Sequence, residues 1–149
     1  VLFRSAWCWY NNDSATYAAT YGRLYNWYAV TDSRGLCPAG WHIPTDGELG
    51  TLIFELGGSS VAGGALKSTT LWSSPNTGAT KSSGFSALPG GVRLSSSVFN
   101  NIGYYGYFWS STESDATNAY GRYMYYNSPI VIRINVSKKY GSFVRCIRD

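Results

Sequence analysis

The spacing of apolar positions changes along this chain, and each change predicts an element. In "PTDGELGTLIFELGG" (Pro44–Gly58), Leu49, Leu52, Ile53 and Leu56 fall at i, i+3, i+4 and i+7, one face of an α-helix. Thr45 followed three residues later by Glu48 is a capping box that starts this helix, and Gly57 supplies a left-handed stop. Ahead of it, "GRLYNWYAV" (Gly22–Val30) puts Leu24, Trp27 and Tyr28 at helical spacing and predicts a second, shorter helix. The "GLCPAGWHIP" stretch between them, with prolines at 38 and 44, reads as a rigid connector. From Ser59 to Ser97 no long period persists, so loops with short strands are expected around Leu71, Trp72, Phe85 and Leu88.

The last third alternates with period two. Ile130, Ile132, Ile134 and Val136 share one side of an extended segment, with Val131, Arg133 and Asn135 on the other. Turn chemistry flanks it at Asn127-Ser128-Pro129 and at Lys138-Lys139-Tyr140-Gly141. Three sequential strands, about 119–126, 130–136 and 142–148, are expected to form an antiparallel meander. Two helices, an irregular middle and then strands make the class α+β. In "RYMYY", Met124 lies between Tyr123 and Tyr125, so a strand there turns Met124 inward and both tyrosines outward.

Composition sharpens this picture. A chain of 149 residues is most simply one domain, 1–149, with residues 1–5 read as a trimmed or flexible end because the chain opens on Val1 rather than Met. Only 13% of residues are charged, well below the usual ~25%, while 17% are aromatic and 17 are glycine, a balance that fits a loop-rich, β-containing extracellular chain better than a helical cytosolic enzyme. The cations Arg122, Arg133, Lys138, Lys139, Arg145 and Arg148 concentrate the positive charge after Ala116. They would either steer an anionic partner or guard a solvated strand edge. No apolar run reaches the ~18–20 residues that span a bilayer.

Candidate chemistry is sparse. His42 is the only histidine and sits in a Trp-His-Ile-Pro connector that suggests packing or a loop hydrogen bond. Cys8, Cys37 and Cys146 lack metal-ligand spacing, and their number leaves one disulfide and one free thiol. Glu113 and Asp115 are the only close carboxylates with a plausible exposure, and such a pair more often solvates a loop or weakly holds calcium. No glycine-rich phosphate loop precedes a helix. Modest charge also argues against nucleic acid, even though basic residues interleaved with tyrosines can track a single strand. What stands out is "GYYGYFWSSTESDATNAYGRYMYYN" (Gly103–Asn127), built from Tyr, Ser, Gly and Asn, the residue types that make antibody paratopes adaptable.

The collinear run "YGRLYNWYAV…GLCPAGWHIPTDGE…LGG…AGGALKS…LW…GFSALPGG…FWSST…VRCIRD" resembles the Fibrobacter succinogenes major paralogous domain over nearly all of the chain from Ala6 onward. That family is similar in turn to the C-type lectin-like fold shared with formylglycine-generating enzymes. The resemblance implies a C-type lectin-like fold, two helices on a small antiparallel sheet with long irregular loops, its loops held by Trp27, Trp41, Trp72 and Trp109. Trp41–Glu48 occupies the place of the enzymes' R-L-P-T-E-A-E-W helix entry, with Leu49 where an aromatic usually stands. Their catalytic cysteine pair has no counterpart, since Cys146 stands alone near the C-terminus, and this argues against the oxidase. The Glu-Pro-Asn and Trp-Asn-Asp calcium signatures of sugar-binding lectins are missing, so no cofactor is expected and calcium finds no support. The expected disulfide is Cys37–Cys146, contributing about 4–5 kcal/mol through loop closure, with Cys8 left over.

Such domains also serve as variable proteins of diversity-generating retroelements, in which asparagine codons are mutagenised. The segment Asn100–Ser142 resembles such a product, with Phe108–Thr112 and Val144-Arg145-Cys146 as the constant frame, although Gly141-Ser142-Phe143-Val144 departs from the family's G-F-S-V. The expected function is non-catalytic recognition of a protein or glycan ligand on another cell or a phage or host surface, by an extracellular or cell-surface domain. Its ligand residues are Tyr104, Tyr105, Tyr107, Asn118, Tyr120, Tyr123, Tyr125, Tyr126, Ser128 and Tyr140. A structural surface or fibre module and a degenerate formylglycine-generating-type enzyme are the rival readings.

Overall fold

The computed structural model describes residues 6–149, so the expectation for residues 1–5 lies outside it. The elements are β1 (Trp7–Cys8), a 3-10 turn (Tyr10–Asn12), α1 (Ser14–Tyr21), β2 (Leu24–Tyr25), α2 (Trp27–Val30), β3 (Trp41–His42), α3 (Asp46–Glu55), α4 (Ala62–Leu66), β4 (Gly90–Arg93), β5 (Phe99–Ile102), β6 (Tyr105–Glu113), β7 (Asn118–Tyr125), β8 (Val131–Ser137) and β9 (Ile147–Arg148). A five-stranded sheet in the order β5-β4-β6-β7-β8 forms the centre, antiparallel except where β4 meets β6. Two small ribbons, β1-β2 and β3-β9, tie the ends of the chain to it. Mixed α and β structure with mostly antiparallel sheets is therefore the architecture.

The predicted capping box starts α3: Glu48 N–H donates to Thr45 Oγ1 at 3.2 Å, and the Glu48 carboxylate accepts from Thr45 N–H at 2.8 Å. Leu49 and Ile53 bury its apolar face, and Gly57 ends it at φ 95°. The helix predicted over 22–30 is shorter, only α2. Asn26 Oδ1 accepts Ala29 N–H at 3.1 Å and starts the helix there, leaving Leu24 and Tyr25 to pair with Cys8 and Trp7.

The expected two helices are four among the described residues. In "SATYAATY", Tyr17 and Tyr21 replace the aliphatic stripe, and Asp13 caps the helix by accepting Thr16 N–H at 3.1 Å. Tyr17 packs edge-on against Tyr10 with ring centroids 5.2 Å apart. α4 interrupts the stretch expected to be loops and short strands. Gly63 and Gly64 allow it, because a Cβ on Gly63 would sit 2.6 Å from the Pro129 carbonyl oxygen and one on Gly64 2.3 Å from that of Gly78. Close backbone packing here overrides the low helix propensity of glycine.

Strands 119–126 and 130–136 form as expected within about a residue, as β7 and β8. The third does not continue the meander, and β8 is left as the edge of the sheet. Instead Phe143 bridges Phe108 in parallel, Ser142 bridges Tyr25, and β9 pairs with β3. Cys146 is bonded to Cys37, as expected, with Cα atoms 5.8 Å apart, and this draws the tail away from the central sheet.

Alternation along β6 and β7 divides the core. Phe108 and Met124 face one side, packed with Ile53, Leu66, Trp72 and Phe143. Trp109 and Ala119 face the other, packed with Trp27, Val30 and Ile43. Each buried indole N–H donates to a carbonyl: Trp27 to Ser110, Trp72 to Ala87 and Trp109 to Tyr25, at 2.9, 3.0 and 2.8 Å. Trp41, expected to be a fourth anchor, is 45% exposed on the two-residue β3, where the ribbon leaves its ring uncovered.

A tyrosine plaque as candidate functional site

The register of β6 against β7 places Tyr105 opposite Tyr125 and Tyr107 opposite Tyr123. Directly opposed residues share a face, so the four rings meet on one side of two central strands. Tyr105 is the hub, with ring centroids 5.9, 5.7 and 5.8 Å from those of Tyr107, Tyr123 and Tyr125. Tyr107 and Tyr123 stand 5.4 Å apart, completing a half-buried plaque. Met124, between two of these tyrosines, is 1% exposed on the opposite face, as the alternation predicts.

Burial and neighbouring phenols raise the Tyr107 and Tyr123 hydroxyls above the ordinary tyrosine range. The phenols are therefore neutral at physiological pH and act as hydrogen-bond donors and acceptors. Asn101, which sequence reasoning did not single out, donates its Nδ2–H to the Tyr107 hydroxyl at 3.3 Å. Ile132 lies opposite Tyr123 on β8 and extends the plaque with apolar surface.

The other predicted ligand residues divide among several places. Tyr104 and Tyr126 stack edge-on at 5.2 Å just past the ends of β6 and β7, with Tyr104 49% exposed and Tyr126 packed against the core that holds Met124. Tyr140 packs against the Trp27 and Trp109 cluster. Tyr120 is on the opposite face, since it pairs with Asn135 one residue out of phase with Tyr123, and the Arg133 guanidinium covers its ring at 3.7 Å. Asn118 stands at the far end of β7, where its Nδ2–H donates to Asp115. Ser128 is 8% exposed and its hydroxyl accepts Ile130 N–H, so it shapes the turn.

Among the described residues, three of the six cations of the basic tail are paired with acids. Arg122 is buried and donates to Asp46 Oδ1 at 2.5 Å, and Arg133 binds the same carboxylate. Burial alone would raise the Asp46 carboxyl, but the hydrogen bonds and charges of Arg133 and Arg122 hold it below the usual carboxylate range. Lys138, also buried, pairs with Glu113. Asp115 instead closes a turn on Thr117 and Asn118, so the two acidic residues do not act as a pair. Tertiary pairing thus ties down Arg122, Arg133 and Lys138, while Arg133 still stands half exposed on the edge strand β8.

Lys67 carried no signal in the sequence, yet it supports the end of the plaque from beneath. Its side chain is fully buried, and Nζ donates to the carbonyls of Thr77, Tyr125 and Ser128 at 2.9, 3.1 and 2.9 Å. Burial pushes the ammonium down to about 8. The pin fixes the backbone where β7 leaves the plaque. His42 links the periphery, with Nδ1 2.6 Å from Asp149 and Nε2 3.0 Å from Glu48. Hydrogen bonds to Asp149 and then Glu48 raise its pKa.

No group of three metal-ligating side chains assembles among the described residues, and no described helix is long and apolar enough to cross a membrane. The model of the Fibrobacter succinogenes major domain matches residues 2–148, and the chain belongs to that family. Comparison with curated proteins and with solved structures gives no match.

Proposed function

We propose that this chain is a non-catalytic recognition domain that binds a protein or glycan ligand through the tyrosine plaque. The observation that carries this reading is the four-ring contact of Tyr105, Tyr107, Tyr123 and Tyr125 on the open face of two paired central strands. Tyrosines offer large contact area, lose little rotamer freedom on binding and keep a hydroxyl for polar contacts. Exposed Tyr104, stacked on Tyr126, is a second candidate contact at the strand ends, whereas Tyr120, Asn118, Ser128 and Tyr140 belong to the frame. The domain needs no cofactor, adopts a C-type lectin-like arrangement and works outside the cell or on its surface. Plaque residues alternate with core residues, so a diversity-generating retroelement could vary the plaque while the backbone stays fixed.

Arrays of glycans and of cell-surface proteins, probed with the wild type and with the Tyr105→Ser/Tyr125→Ser double variant, test the reading. Binding to at least one class, lost in the variant while its fold is retained, is expected. Binding that is undiminished in the folded variant, or no binding to either array, overturns it.

A further inference from the structure

Away from the plaque, a cleft of about 300 Å3 opens between the end of α1 and the segment around Phe143. Phe108 and Phe143, at 5% and 9% exposure, form its apolar base, and Tyr21 and Tyr25 line it too. Arg23 and Arg145 share the same lining, which includes no carboxylate.

These two arginines differ from the cations that are held in ion pairs. Arg34, Arg122, Arg133 and Lys138 each pair with an acid. The Arg23 guanidinium lies 4.0 Å from the Trp7 ring centroid and forms no ion pair among the described residues. Arg145 donates one Nη2–H to the Ser86 carbonyl at 3.2 Å and stands 5.5 Å from the Phe85 ring centroid, again with no acid partner among the described residues. Arg145 is exposed as a whole, and the partial burial of its guanidinium lowers the pKa. The C-terminal carbonyls of α1 add only about half a unit of negative charge, against two full positive ones.

We propose that this cleft is a second ligand site, taking a small organic carboxylate with one flat ring. The ring rests on Phe143 and Phe108, and Arg145 and Arg23 take the carboxylate. The volume, at the lower end of the range for small-molecule sites, suits a single ring. Guanidinium groups match a carboxylate with paired, charge-assisted hydrogen bonds. The site is independent of the plaque, sharing no residue with it.

Benzoate is the probe, with benzamide as its neutral isostere, each titrated into the whole chain and followed by amide NMR. Benzoate is expected to shift amides in 18–25 and 143–145, to bind about tenfold or more tightly than benzamide, and to weaken with added salt. Arg145→Gln and Arg23→Gln are each expected to lose about tenfold in affinity. Arg145→Lys keeps the charge and the stem and should lose less, so it tests the assignment if the glutamine variant folds poorly. Tyr105→Ser is expected to bind benzoate as the wild type does. Equal binding of benzamide, unchanged affinity in the arginine variants, dependence on Tyr105, or no shift in those segments at millimolar benzoate would each overturn the site.

Discussion

The two faces of the β6–β7 hairpin, built from alternating residues of the same strands, meet different surroundings. On one face Phe108, Arg122 and Met124 are 5%, 6% and 1% exposed, packed under α3 and tied to Asp46. On the other, Tyr105, Tyr107, Tyr123 and Tyr125 touch mainly one another and remain half open to solvent. Farther along this second face, Trp109 is sealed by Trp27 and Ile43. Backbone hydrogen bonds belong to both faces at once. The sealed residues therefore hold the strands in place, and the open ones can change identity without moving them. The tests below break the frame first and the plaque last.

The largest effect should come from the Cys37–Cys146 bond, which closes a sequence separation of 109 residues. Reduction, or Cys37→Ser with Cys146→Ser, is expected to remove about 4–5 kcal/mol of stability, read by denaturant unfolding. Cys8→Ser should leave the unfolding midpoint where it is. Equal midpoints with and without reductant would refute the role given to the bond.

Asp46→Ala leaves Arg122 buried without its carboxylate and should destabilise by about 3–5 kcal/mol. The loss should loosen the plaque as well, because Arg122 lies between Tyr123 and Gly121 on β7. Arg133→Ala, which removes the exposed partner, should cost less than about 1 kcal/mol. If the two variants unfold alike, the buried pair does not hold the hairpin.

Lys67 gives a test by pH. Its folded pKa of about 8 lies below the ordinary 10.5, so the unfolded chain binds more protons between those values. Its contribution therefore makes stability rise with pH across that window, by up to about 2–3 kcal/mol. The difference in stability between wild type and Lys67→Met should follow that rise, and a flat difference would count against a desolvated ammonium.

On the open face, Tyr105→Ser removes three ring contacts and should cost only about 1 kcal/mol of stability, whereas Met124→Ala on the sealed face should cost about 2–5. Matching losses at both sites would erase the distinction between the faces. The smallest effect should be at His42. Its pKa is raised in the fold by Asp149 and Glu48, so its stabilisation is complete below the unfolded value and fades as pH rises through the folded one. His42→Gln should lack that decline in melting temperature.

How much of this was legible depended on how local each signal was. The α3 helix could be read from Thr45, Glu48 and Gly57, because caps and apolar periodicity act within a few residues. The inward Met124 and outward Tyr123 and Tyr125 followed from strand alternation. α1 was missed because its packing stripe is Tyr17 and Tyr21 rather than leucines. α4 was missed because Gly63 and Gly64 are poor helix formers until the Pro129 and Gly78 backbones pack against them. The ligand residues were chosen by type, and type could not tell Tyr105 from Tyr120, whose ring is covered by Arg133 on the other face.

By itself the sequence determined the class, the α3 helix, the alternating strands and the tyrosine-rich composition of the exposed segment, and it carried the motifs of the family. Only the tertiary structure decided which tyrosines meet, that the last strand joins β3 instead of the meander, that Asp46 neutralises Arg122 and Arg133, and that Lys67 is buried on three carbonyls. The physical reason is range. Caps, turns and side-chain alternation depend on neighbours within one or two turns of chain, whereas strand order, ion pairing and burial depend on residues dozens of positions away.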